Sequence, residues 1–97
     1  MTVKVIVELP ARPGKRADLA RVLDRIVDEH GPSARGFLGG TRYEVVGNPD
    51  MLVEIAEWES AEARTAHMQE AAATGVYAPV VELLAGPIRA TVVRLLP

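Results

Sequence analysis

The sequence predicts an α+β fold in the order β-α-β-β-α-β, an antiparallel four-stranded sheet with helices on one face. Three observations predict it. Apolar spacing switches between a period of two and a period of 3.6 along the chain, strong turn residues separate two strand-like runs, and each long helix-like run stands between strands. Ninety-seven residues suffice for one core and not for two, so residues 1–97 are expected to form a single domain.

Residues 2–9, TVKVIVEL, put Val3, Val5, Val7 and Leu9 on one side and Lys4 and Glu8 on the other, the pattern of a β-branched strand. Pro10 and Pro13-Gly14 stop it. Leu19, Val22, Leu23, Ile26 and Val27 then follow the i, i+3, i+4, i+7, i+8 stripe of an amphipathic helix. His30-Gly31-Pro32 closes it, with Gly31 suited to a left-handed cap. Residues 36–46, GFLGGTRYEVV, form the second strand, and their glycines make its start a candidate bulge.

Gly47-Asn48-Pro49-Asp50 is expected to be a four-residue hairpin connection into the third strand, residues 51–58, MLVEIAEW. Ser60 is placed to cap a helix over 61–73, with Glu62, Arg64 and Gln69 on its exposed side, and Gly75 ends it. VYAPVVELLA begins a short helical segment with Pro79 in its first turn. Gly86-Pro87 leads to the last strand, IRATVVRLL. The order is the split βαβ, ferredoxin-like arrangement.

A sheet with one wet face alternates apolar and polar residues. The third strand does not: Met51, Val53 and Ile55 oppose Leu52, Ala56 and Trp58, with Glu54 on the Trp58 side. In the last strand Ile88, Ala90 and Val92 oppose Val93 and Leu95. Helices shield one face only, so the other predicts a homodimer through the sheet faces.

Composition excludes several functions. A net charge of −2 without a Lys/Arg run, and 4% aromatics, argue against nucleic acid as a partner. The absence of Cys removes disulfides, thiolate metal sites and thiol chemistry. The apolar run at the start is too short for a signal segment or a membrane span, so a cytoplasmic protein without membrane contact is the default.

Three stretches carry a family likeness: RPGKRADLARVL, RGFLGGTRYEVV and EIAEWESAEARTAHM. The first resembles a Pro-Gly-Lys entry into a helix. The second is similar to a Gly-aromatic-Leu strand. The third, the most specific, resembles a strand-end Trp followed by an acidic residue, a Glu-Ala pair and a helical His. Over residues 2–96 the chain thus resembles the antibiotic biosynthesis monooxygenase (ABM) domains of the dimeric α+β barrel superfamily. The resemblance implies a homodimer with one pocket per subunit between sheet and helices. It also implies oxidation of an aromatic, polyketide-like substrate by O₂ without metal, flavin or haem. Relatives with the same fold include isomerases, so a non-oxidative isomerase or cyclase, or an inert ligand-binding dimer, are the alternatives. The likeness departs at two positions, where several polyketide oxidases carry an amide in place of Glu54 and an aromatic hydroxyl in place of Arg64.

The candidate catalytic residues are His67, Glu54 and Trp58. An imidazole at His67 suits proton abstraction from a phenol or enol near neutral pH, its alternative being a solvated helix surface. Glu54, on an apolar strand face, is either a pocket acid or base or a salt-bridge partner of Arg42. Trp58 is a pocket wall or an anchor between helix and sheet. Candidate substrate-binding residues are Trp58, Phe37, Tyr43, Arg64, Met68 and Tyr77, each with plain core, interface or solvated-face roles as the alternative. His67-x-x-Glu70 has ligand spacing but no second pair, and His30 reads as a helix-terminus residue, so no metal site is expected.

Overall fold

The β-branched run that opens the chain becomes an inner strand of a four-stranded antiparallel sheet. A computed structural model describes residues 1–97 as β1 (Val3–Pro10), α1 (Arg16–His30), β2 (Phe37–Val45), β3 (Asn48–Trp58), α2 (Ala61–Thr74), α3 (Ala78–Val81) and β4 (Arg89–Val93). The sheet order is β2-β3-β1-β4, as the ferredoxin-like expectation requires.

Three local expectations change. The hairpin turn is tighter than the turn-forming run 47–50 suggests, because Val45 pairs with Asn48 and only Val46 and Gly47 lie between the strands. Gly47 takes φ +88°, the turn conformation that β-branched residues resist. Gly31 is not a left-handed cap: its φ of −56° carries the chain from α1 into a 3-10 turn, Gly31–Ser33. The residue before a proline normally avoids the helical region partly through its Cβ, which Gly31 lacks. Arg64 leaves the exposed side of α2 and turns inward.

Ser60 caps α2 as expected, its Oγ accepting from the Ala63 backbone N–H at 3.0 Å, and Gly75 closes the helix at φ +71°. The passage from β3 into α2 has no glycine of its own. Gly36 makes room from across the fold. A Cβ there would lie 2.7 Å from that of Ala63, while the Gly36 carbonyl accepts from the Glu59 N–H at 2.8 Å.

Register sorts the faces. Val3, Val5, Val7 and Leu9 sit opposite Trp58, Ala56, Glu54 and Leu52, all toward the helices. Leu19 and Leu23 of α1, with Val80 of α3, close over Leu9, Ala11 and Leu52 to make one core cluster. Val3, Val5, Ala56 and Trp58 make a second, covered by Ala34, Phe37, Ala61 and Ala63. Ile6, Val53 and Ile55 lie on the opposite face, which no helix of this chain covers. All five residues of the edge strand β4 are exposed, with Val92 at 44% and Val93 at 38%.

Candidate functional site

The answer to why a lone indole ends β3 lies in its neighbours. Trp58 is 3% exposed and pairs in register with Val3 on one side and Phe37 on the other. Its ring centroid is 5.2 Å from that of Phe37 and 5.1 Å from that of His67, in tilted contacts that aromatic rings favour. Trp58 therefore both fills the second core cluster and walls a cavity of about 70 Å³ that is partly open to solvent.

Arg64, His67, Met68 and Ala71 stand at i, i+3, i+4 and i+7 on α2, one face of the helix. The first three line the cavity and Ala71 is buried. That stripe was readable in the sequence, but Arg64 looks like surface until its spacing to His67 is counted. Tyr77, which leads into α3, places its hydroxyl 3.3 Å from His67 Nε2. Burial, the largest influence, holds the His67 imidazole below its ordinary pKa of 6.5; Glu70 opposes this, and His30 and Arg64 reinforce it. Burial, then the Glu54 charge, pushes the Tyr77 phenol above its ordinary 10.0, with Arg64 acting the other way. At neutral pH both groups are therefore uncharged, one a base and one an O–H donor.

Glu54 also borders the cavity, but its Oε2 accepts from Arg42 Nε at 3.1 Å, the pairing expected across these strands. Arg42 Nη1 in turn meets Asp24 on α1. This chain of ions joins β3, β2 and α1.

Phe37, Met68 and Tyr77 line the cavity with Trp58 and Arg64. Tyr43 does not. A register shift between Phe37 and Gly39 reverses the strand's parity, so Phe37 faces the helices, while Tyr43 pairs with Val53 on the far face and is 50% exposed. His30 was missed as a lining residue, together with Gly31, Ala34, Val5, Val7, Ile26, Val27 and Ala56. It stands four residues after Ile26 and three after Val27, which also line the cavity, so it continues the α1 stripe and helical spacing was the signal that could have found it. Both histidines of the chain thus border one cavity. No cluster of three or more His, Cys, Asp or Glu side chains is arranged to hold a metal ion.

The family model described as antibiotic biosynthesis monooxygenase matches residues 2–77, more than half of the chain. The chain belongs to the antibiotic biosynthesis monooxygenase family. It is 27% identical to Rv0793 of Mycobacterium tuberculosis, covering 100% of this chain and 97% of that one with a TM-score of 0.77. A Bordetella bronchiseptica protein provisionally assigned as an antibiotic biosynthesis monooxygenase superposes with a TM-score of 0.85 at 18% identity, covering 99% and 98%. A variant of SnoaB, a cofactor-independent oxygenase from Streptomyces nogalater, gives 0.79 at 15% identity, covering 97% and 92%. The last two are likenesses of fold. No curated protein sequence matches the chain. No helix is long and apolar enough to cross a membrane.

Proposed function

We propose that this ABM-family protein is a cofactor-free monooxygenase of an aromatic or enolic, polyketide-like small molecule, with His67 taking the substrate proton and Trp58 packing on its ring. One observation carries the reading: a neutral imidazole, half-buried, held between the Trp58 indole and the Tyr77 hydroxyl at the edge of an apolar cavity. Triplet O₂ reacts poorly with closed-shell molecules but accepts an electron from an electron-rich anion. Deprotonation is therefore the step the protein must supply. Once protonated, His67 donates Nε2–H to Tyr77 Oη, which steadies the imidazolium. A substrate methylene that becomes a carbonyl takes up one oxygen atom and releases the other as water, so the substrate itself provides all four electrons. Glu54 is already engaged by Arg42, which leaves His67 as the proton acceptor.

Oxygen uptake tests this. A panel running from 1,3-diketone enols through single-ring phenols to anthrone is expected to include a substrate consumed with O₂. His67→Ala is expected to slow it by about 10²- to 10⁴-fold. Uptake unchanged in that variant removes His67 from the mechanism. Rearrangement of a panel member without oxygen consumption replaces oxidation by isomerisation or cyclisation in the same cavity.

The same reading includes a homodimer through the uncovered sheet face, supported by the apolar Ile6, Val53, Ile55, Tyr43 and Val93 that share it. Sedimentation at micromolar concentration is expected to give a dimer that Ile55→Arg dissociates. A monomeric wild-type chain contradicts it.

A further inference from the structure

Two arginines reach the helix-covered side of the sheet, and they differ in what answers their charge. Arg42 is held twice, by Glu54 and by Asp24. Arg64 lines the cavity near His67, Met68 and Tyr77, half-buried, and pairs with no carboxylate. Its side chain makes no hydrogen bond within the chain either. A guanidinium turned from open solvent toward a mostly apolar wall loses hydration and gains no anion in return.

We propose that Arg64 is the specificity-determining residue of this cavity, and that its ligand is a small aromatic or enolic molecule bearing a carboxylate or comparable anionic oxygen. The proposal rests on the cavity being the substrate site. Arg64 sits one helical turn before His67, so an anionic group held by its planar fork sets the remainder of the ligand in the cavity against the side that Trp58 and the imidazole wall together. Size points the same way. The cavity holds about 70 Å³, roughly half of the ~150 Å³ that encloses benzene in an engineered apolar site. One ring resting on Trp58 already has its edge in the open mouth, so any further fused ring would extend outward from the enclosed space.

Trp58 is the only tryptophan, so intrinsic fluorescence reports its occupancy. The full chain is titrated with salicylate and with its neutral counterpart salicylamide near neutral pH. Salicylate is expected to bind about tenfold or more tightly than salicylamide, the margin of a charge-assisted hydrogen bond. In Arg64→Gln the two affinities should fall within about twofold of each other, and Arg64→Lys should recover part of the preference. Equal affinities in the wild-type chain, or a preference that survives Arg64→Gln, overturn the proposal. If Arg64→Gln does not fold, the wild-type preference and its reduction in Arg64→Lys decide the matter. Oxygen uptake is read separately. Anion preference without turnover removes the oxygenase reading and leaves this one, whereas turnover of neutral enols without anion preference does the reverse.

Discussion

Beneath α1, the side chains of Leu9, Leu19, Leu23, Leu52 and Val80 meet with no more than 8% exposure. Beneath α2, Val3, Val5, Ala56 and Trp58 are as well buried, yet they border a cavity. Both clusters sit on the same face of the same sheet, so the strands do not explain the difference. The helices do. Over the first cluster α1 presents branched leucines, whereas over the second Ala34 and the α2 residues Ala61 and Ala63 pack, and the longer Arg64, His67 and Met68 border the cavity beside it. Small residues around one large indole leave space that packing alone would have closed. One half of the face is spent on stability and the other is available for a guest.

That contrast can be broken by substitution. Leu19→Ala, at a fully buried position, is expected to cost about 2–5 kcal/mol in urea unfolding while leaving the turnover of folded molecules intact. Met68→Ala, on the wall of existing space, is expected to cost about 1 kcal/mol or less and to change ligand affinity instead. Equal costs at the two positions would mean that the halves do not differ.

A smaller effect sharpens the comparison through pH. Because folding lowers the His67 pKa below 6.5, the unfolded chain binds the proton more readily than the folded one. The contribution of His67 to stability is thus fully present above 6.5 and is lost as pH falls from there through the folded value. Urea midpoints measured across that window should decline less steeply in His67→Ala than in the wild-type chain. Parallel declines would show that His67 titrates as it does in the unfolded chain.

Period and capping made most of the architecture legible: the alternation of β1, the stripe of α1, the Ser60 cap and the Gly75 stop all describe local conformation, which a sequence states directly. The site was harder to read, because it depends on where local elements are aimed. One bulge near Gly39 sends Tyr43 to the face opposite Phe37, although both are odd-numbered positions of the same strand. The 3-10 turn after α1 brings Gly31 and Ala34 to the cavity, and its trajectory depends on packing rather than on turn residues. Asn48 and Pro49 carry turn chemistry yet fall within β3, where Asn48 pairs with Val45 and the end of a hairpin strand tolerates the proline. The Arg42–Glu54 pair could be anticipated from opposite charges on neighbouring strands. The unpaired state of Arg64 could not, because it is a property of everything that surrounds it.

The central claim is that the cavity walled by Trp58 and His67 receives a small molecule while the leucine cluster beside it does not. Two-dimensional NMR during a salicylate titration measures both at once. The account predicts shifts confined to the Trp58 indole, the His67 imidazole, the Tyr77 ring and the Met68 methyl, with the methyls of Leu19 and Leu23 unmoved. Shifts centred on Ile55 and Tyr43 of the far face, or none at the indole up to millimolar ligand, would contradict it.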